Sequence, residues 1–462
     1  MAGVAILAKE AGFEVSGCDL SPDSYYLEAL KKVGIKVSLG HDLDHLQNVD
    51  LLAVSPAVFD KSRDHPELLE AKRKGILMTW QEFLGRILQK NKFVICVSGT
   101  HGKSTTTALL GRVLEDAGFD PSVALGAIVG KWGKTVRSGR SKWFVCEGDE
   151  FGGNFLHYSP SLLLINNLEM DHPEYFTDFN EIILSFEKLI ERMSSPKILV
   201  VNEDAPGIKI LLERMKDFLQ KEEYQVVGFR LGGGFSFPFE NRYLAKITDL
   251  GQEATHFKVI FSQDSSQKAI IEENFQMRLA GVHNVYNALG VIACAYLLEV
   301  DLDAIKKTIF SFEGVARRLE KIGEGRGVLI FDDYGHHPTA IKATIRALRQ
   351  KHPGKRIWAI FEPHQISRLR LFKKEFAKVL AEADKVIVTQ VFEGREKLTK
   401  GESGQMLVDE INLPKARYIG DFDKVVELVD KEVRKGDCLL VFGAGKSYQL
   451  SQKILERLKD GE

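Results

Sequence analysis

Apolar positions along this chain gather into short strand-like runs separated by stretches with helical spacing, and the alternation persists from end to end. In residues 1 to 90, segments 4–11, 25–33 and 66–74 carry helix-spaced apolar positions, while 14–18 and 51–54 read as strands. That rhythm predicts a parallel α/β sheet. A doubly wound nucleotide-binding unit is expected to open with a strand and a glycine turn, whereas this chain opens inside a helix. Residues 91–312 continue with strands near 143–147, 162–166 and 198–202. Glycine, phenylalanine and polar alternation over 228–277 predicts antiparallel strands, and an apolar helix starts at 281–288 and runs to Leu298. Residues 313–462 place strands at 328–331, 357–361, 385–391 and 439–442 between amphipathic helices, a second doubly wound sheet beyond a short hinge near Phe312. The predicted class is α/β in three domains, divided 1–90, 91–312 and 313–462.

The run from Phe93 to Thr107 changes this from a fold to a site. An apolar strand leads into Gly99, Thr100, His101, Gly102 and Lys103, and then into the hydroxyls Ser104, Thr105, Thr106 and Thr107. Glycines let backbone N–H groups approach a polyphosphate, and the helix N-terminus adds its positive dipole end. Lys103 can reach β/γ-phosphates, and Ser104 or Thr105 can coordinate Mg²⁺. The position five before Gly102 is Val97, so the spacing departs from the usual phosphate-loop pattern, and a simple strand-to-helix turn is the competing reading.

Length and composition set outer limits. At 462 residues, and about 150 per domain, three domains are expected. A balance of 63 basic against 64 acidic residues leaves no overall footprint for nucleic acid or anionic membrane. No apolar run approaches the roughly 20 residues of a membrane span, and no secretion pattern opens the chain, so a cytoplasmic protein is expected. The five scattered cysteines contain no C-x-x-C pair and read as reduced, buried thiols.

Carboxylates gather where strands end. Glu147, Asp149 and Glu150 close one strand, and Asn166, Asn167, Glu169, Asp171 and His172 follow the next. Such oxygens suit Mg²⁺, with His172 at a second metal position, although helix capping explains either cluster alone. Arg317 and Arg318, near the hinge, can neutralise a transferring phosphate. Asp332 and Asp333 can meet ribose hydroxyls or a hydrated metal. His336, His337 and Pro338 read either as site residues or as a helix start, and Arg368 can clamp a carboxylate. The turn from Gly443 to Ser447 lacks an earlier glycine and reads as a strand-helix turn lining a pocket.

Taken together, the strings G-T-H-G-K-S-T-T, E-x-D-E, N-N-L-E-x-D-H, H-N-x-x-N-A, R-R-x-E and D-D-Y-G-H-H-P resemble the Mur ligase family over essentially the whole chain. D-D-Y-G-H-H-P-T followed by P-H-x-x-S-R is similar to members that join L-alanine to UDP-N-acetylmuramate. The resemblance implies a Rossmann-like UDP-binding domain at 1–90 lacking its first strand, a central P-loop-type ATPase domain at 91–312, and an amino-acid-binding domain at 313–462. It implies ATP and Mg²⁺ as cofactors, and phosphoryl transfer to the muramate carboxylate followed by amine attack on the acyl phosphate. Gly99, Thr100, Gly102, Lys103, Ser104 and Thr105 would hold ATP phosphates, with Lys103, His172, Arg318 and His336 catalytic. Ser104, Glu150 and His172 would ligate metal. Asn287 would meet adenine, Arg318 the γ-phosphate and Asp333 the ribose, while Tyr334, His336 and Arg368 would face the amino acid. Gln365 stands where many alanine-adding members carry Arg, which leaves Arg368 as the carboxylate partner. Small-molecule substrates and a monomer or homodimer are expected. Ligation of an L-Ala-D-Glu-diaminopimelate tripeptide is the alternative, and a non-catalytic nucleotide-binding protein a more distant one.

Overall fold

Strands buried on both faces must read as continuous apolar runs, and in the computed structural model Phe93–Ser98, Trp143–Glu147, Leu162–Ile165 and Ile198–Asn202 lie side by side and parallel. The structure describes residues 1–20, 25–56, 58–59, 65–232, 237, 239, 241–263 and 269–460. Positions 233–236, 238, 240 and 264–268, inside the expected 228–277 strand region, lie outside the described residues.

The central sheet has ten strands among the described residues. Its parallel body runs from Ser122–Val129 through Trp143–Glu147, Phe93–Ser98, Leu162–Ile165, Ile198–Asn202 and Gln225–Arg230 to Asn241–Leu250. Thr255–Gln263 and Ala269–Met277 extend it antiparallel, as the alternation over 228–277 predicts. Helices cover both faces, and their apolar sides form two separate cores. One core continues into the N-terminal block through Val4, Ile6, Leu7 and Leu30.

The C-terminal sheet runs Glu320–Gly325, Val328–Asp333, Cys438–Phe442, Ile357–Phe361, Lys385–Val388 and Ala416–Tyr418. The third predicted strand stops at Val388 and not Val391, because its partner ends at the matching residue, Phe361. The N-terminal block departs further from expectation. Its strands form two separate parallel pairs, Ser16–Asp19 with Lys36–Leu39 and Leu52–Val54 with Leu77–Thr79, and not one sheet. Helix Ala2–Glu10 docks on the central domain's edge strand, where a Cβ on Gly3 would come within 2.6 Å of Thr135 and Val136. Cys96, Cys146, Cys294 and Cys438 are buried free thiols, whereas Cys18 is partly exposed. No described helix is long and apolar enough to cross a membrane.

The end of the N-terminal block braces the acidic strand end of the central sheet. Gln81 Nε2 donates to Asn154 Oδ1 at 2.8 Å, and Asn154 Nδ2 donates to Asp149 at 3.0 Å. Gly85, in the segment Leu84–Leu88, lies against the backbone of His157, where an added Cβ would fall 2.0 Å from the carbonyl oxygen. Gly85→Ala is therefore expected to cost about 1–3 kcal/mol by forcing these backbones apart, measured by denaturant unfolding.

Candidate active site

Strand Phe93–Ser98 delivers the chain into a turn that only glycine can make. Gly99 has φ 121° and Gly102 φ 82°, and Cβ atoms there would fall 2.7 Å from Asn167 O and 2.4 Å from Asn287 Oδ1. Thr100 ties the turn to the next strand end, accepting from the Glu169 amide at 2.9 Å. Helix Lys103–Asp116 then starts with no side-chain cap, leaving its first amides to an anionic ligand. Thr105 is buried in the first turn beside Ser104.

Two carboxylates meet this loop. Lys103 Nζ donates to Gly99 O at 2.7 Å and to Glu150 at 2.9 Å. Burial opposes charge on Lys103, but Glu150 and Asp149 outweigh it and raise its pKa. Burial pushes the Glu150 carboxyl up, against the pull of Lys103. The pair is held together because neither charge is solvated alone. Ser104 Oγ donates to Glu147 at 2.9 Å, and the Gly126 amide donates to Glu147 at 2.7 Å. Glu147 was part of the acidic cluster in the sequence, but its pairing with Ser104 required the strand Trp143–Glu147 to lie beside Phe93–Ser98.

His172 has φ 54°, and its Nδ1 lies 3.0 Å from Glu174 Oε1. Burial works against its imidazolium, yet Glu174, Asp171 and Glu150 raise its pKa on balance. Among the described residues, neither Glu150 nor His172 belongs to a group of three His, Cys, Asp or Glu ligand atoms lying within 4.8 Å of one another. The expected metal ligands thus lie in one electrostatic field without forming a closed cage. Asn287 packs on the phosphate turn through its carboxamide oxygen and donates to Asn284 at 3.1 Å, which places it beside the loop.

The C-terminal residues separate into structural and available groups. Arg317, with φ 61°, turns inward and donates to Asp332 at 2.9 Å and to Ser447 at 3.0 Å. Arg318 makes no hydrogen bond or ion pair among the described residues, and its guanidinium lies 5.1 Å from the Tyr334 ring. Tyr334 is a platform for both arginines. Asp333, expected at a ribose, is buried and accepts from the Leu319 amide and the Gly335 amide, each at 2.7 Å. Both oxygens are engaged, so in this arrangement Asp333 shapes the turn that presents Arg318. The Gly443–Ser447 turn is held from the same side, since the Ser447 amide donates to Glu362 at 3.0 Å.

His336 and His337 divide the two readings of their turn. His337 caps helix Pro338–Lys351, its Nδ1 accepting from the Thr339 amide, and its Nε2 donates to Met170 O at 3.2 Å. His336 Nδ1 donates to Tyr334 O at 2.9 Å, which leaves Nε2 with its lone pair. Burial and the nearby Arg368 hold His336 well below the ordinary histidine pKa.

Arg368 is engaged within the protein. Expected to clamp the amino-acid carboxylate, it is 1% exposed and donates from Nε and Nη2 to Asp171 Oδ1 at 3.1 and 2.7 Å. Its Nη1 is taken by His364 and Gln365. Burial raises the Asp171 pKa, but Arg368 overrides it and holds the carboxyl well below the carboxylate range. This pair crosses between the central and C-terminal sheets, as do Thr339 Oγ1 to Glu169 at 2.7 Å and the His101–His337 ring contact at 4.8 Å. Arg395, not singled out in the sequence, lies with its guanidinium 4.4 Å from the Phe151 ring, which itself packs on His172. No strand end or motif marked it; the loop beyond Val388 brings it there.

The whole chain was compared with known proteins. Residues 1–92 match the family model described as Mur ligase family, catalytic domain, residues 97–295 that of the Mur ligase middle domain, and residues 317–445 that of the Mur ligase, glutamate ligase domain. The UDP-N-acetylmuramate–L-alanine ligase of Caldicellulosiruptor bescii is 34% identical over 468 residues, covering 99% of this chain and 96% of the relative. This chain belongs to the Mur ligase family. Among solved structures, the UDP-N-acetylmuramate-alanine ligase of Thermotoga maritima matches this Mur ligase with TM-score 0.78 and 25% identity, over 100% of this chain and 97% of that one. The murein peptide ligase of Psychrobacter arcticus shares the fold, with TM-score 0.69 and 23% identity over 99% and 96% of the two chains.

The buried pair makes a pH-resolved prediction for this Mur ligase. Asp171→Asn strands the Arg368 charge and is expected to cost about 3–5 kcal/mol at neutral pH. Because the folded pKa of Asp171 is depressed, the pair stabilises fully above the unfolded value of about 3.9 and fades as pH falls toward the folded one. Urea unfolding of both proteins should show a constant gap above about pH 5 that narrows below about pH 4.

Proposed function

We propose that this Mur ligase joins L-alanine to the carboxylate of UDP-N-acetylmuramate, converting ATP to ADP and phosphate, in the cytoplasmic stage of peptidoglycan precursor synthesis, as a monomer or homodimer. The observation that carries the reading is the meeting of two sites. Lys103, Glu150 and Ser104 line the phosphate loop, and the Arg368–Asp171 pair brings His336, His364 and Arg395 of the C-terminal sheet beside His172. The full-length likeness to alanine-adding relatives supports alanine over the tripeptide. The division at 1–90, 91–312 and 313–462 then assigns UDP-sugar, ATP and amino acid to successive domains.

A carboxylate is a poor acyl donor, so the muramate oxygen first takes the γ-phosphoryl group and an acyl phosphate forms with release of ADP. The amine then attacks the acyl carbon, and inorganic phosphate leaves the tetrahedral intermediate. Gly99, Thr100, Gly102 and the first amides of the helix hold the phosphates, with Asn287 against the turn. Lys103 leaves its own loop carbonyls for the β/γ-phosphates, and Arg318, uncommitted on its Tyr334 platform, answers the charge on the transferring group. The oxygen-rich set of Ser104, Glu147 and Glu150, with His172, fits Mg²⁺: Glu150 is buried with Lys103 as its main countercharge, and Asn166 Oδ1 beside the loop is buried without a hydrogen-bond partner. When bound, the ion offsets phosphate charge. His336 Nε2, with its lone pair free, accepts a hydrogen bond from the incoming amine and orients it. Arg395 replaces the consumed Arg368 as the cation for the amino-acid carboxylate.

Phosphate release with UDP-N-acetylmuramate, ATP and Mg²⁺ should respond to L-alanine, with the product mass showing the added residue. Response to the tripeptide alone would establish the alternative acceptor. Lys103→Ala is expected to lower turnover by about 10²-fold or more with the fold retained, and to lower the unfolding midpoint because Glu150 loses its buried partner. Arg395→Ala should raise the KM for L-alanine while leaving the KM for ATP unaltered, whereas Arg368→Ala should lower thermal stability first; steady-state kinetics and calorimetry separate the two.

A further inference from the structure

A second cluster of metal-ligating side chains lies in the N-terminal block, apart from the phosphate loop and from the Arg368–Asp171 pair. Cys18 lies in strand Ser16–Asp19, His41 follows strand Lys36–Leu39, His45 is in the turn Leu43–Leu46, and His65 and Glu67 open helix Pro66–Lys74. Glu67 is the hub and is buried. Its Oε1 accepts from the Asp42 amide at 2.9 Å and lies 2.9 Å from His45 Nδ1. Its Oε2 lies 3.5 Å from Cys18 Sγ and 3.5 Å from His41 Nδ1, and those two atoms are 3.2 Å apart.

One sulfur, one nitrogen and one oxygen thus form a nearly equilateral triangle. Tetrahedral coordination at bond lengths of about 2.0–2.3 Å places neighbouring ligand atoms about 3.3–3.7 Å apart, so the triangle has the size of one face of such a site. A fourth donor is at hand. His65 Nδ1 is buried without a hydrogen-bond partner, its ring lies 4.6 Å from that of His41, and ligand atoms of His41, His65 and Glu67 all fall within 4.8 Å of one another. A mixture of thiol, imidazole and carboxylate donors suits a borderline-soft dication of the zinc class and not Mg²⁺.

We propose that Cys18, His41, His65 and Glu67 form a tetrahedral binding site for a zinc-class divalent cation, with His45 and the Asp42 amide orienting the Glu67 carboxylate from outside. Binding exchanges the Cys18 thiol proton for the cation: the S–H bond breaks, the proton goes to solvent, and the thiolate binds metal. Burial and Glu67 raise the bare thiol to about 12, a cost that the dication reverses. The site also has a mechanical consequence. Cys18 and His41 belong to the strand pair Ser16–Asp19 with Lys36–Leu39, whereas His65 and Glu67 belong to the connection between the strands of the other pair. The cation would cross-link two units that share no ladder hydrogen bonds.

The full chain, stripped of metal, is titrated with Co²⁺ and followed by absorbance. The expected result is uptake of about one equivalent, with a thiolate-to-cobalt charge-transfer band and the visible bands of tetrahedral geometry, both displaced by Zn²⁺. Cys18→Ser should lose the charge-transfer band, with Cys96, Cys146, Cys294 and Cys438 still present as internal controls. His45→Ala should keep the band with affinity weakened by about 10- to 100-fold. If Cys18→Ser fails to fold, Glu67→Gln and His41→Ala are read by the same bands. No charge-transfer band in the folded wild-type protein, or a band undiminished in folded Cys18→Ser, overturns the proposal.

Discussion

The Arg368–Asp171 pair is the contact on which the rest of the site depends. Both side chains are almost fully removed from solvent, Arg368 on helix Ile366–Leu371 of the C-terminal block and Asp171 in the loop after central strand Leu162–Ile165. A buried ion pair adds little to stability compared with apolar packing, but losing one partner is costly because the other charge stays buried. The pair therefore works as a specifier of domain arrangement. Once it forms, His172, next to Asp171, faces the elements around Arg368, and His337 and Thr339 close onto Met170 and Glu169. The phosphate loop and the turn carrying His337 then pack against each other.

The same logic runs through the phosphate loop. Lys103 and Glu150 neutralise each other in a buried environment, and Ser104 is held by Glu147. An anionic nucleotide that draws Lys103 away leaves Glu150 with its charge uncompensated, a physical reason for a cation to enter with the nucleotide. Arg318 differs from its neighbour Arg317 for a local reason. Left-handed backbone at Arg317 and Leu319, pinned by Asp333, sends one guanidinium into the domain and the other outward.

Neutral histidines gather around Arg368. Burial lowers the pKa of His336, and it holds His337 and His364 at about 4, with neighbouring His101 and Arg368 adding to the effect. Each is then a hydrogen-bonding group with a defined tautomer, fixed at His336 and His337 by a backbone carbonyl. Their lowered pKa values keep them uncharged beside Arg368.

The sequence by itself determined the inner strands 93–98, 143–147, 162–165 and 198–202 of the central sheet and 328–333, 357–361 and 438–442 of the C-terminal one, because buried parallel strands are local apolar runs, and it determined the phosphate turn, because Gly99, Gly102 and Lys103 lie within five residues; the outer strands 122–129, 134–137, 225–230, 320–325 and 416–418 it left unmarked. It also marked the acidic strand ends and the order of the motifs. Tertiary structure alone decided which charge meets which. Arg368 and Asp171 are 197 residues apart, so no spacing rule distinguishes a buried interdomain pair from a free carboxylate clamp. The engagement of Asp333 with two backbone amides, the partnership of Ser104 with Glu147, the approach of Arg395 to Phe151 and the division of the N-terminal strands into two pairs have the same origin. Each depends on distant segments competing for one buried partner, and that competition is settled only when the sheets have packed.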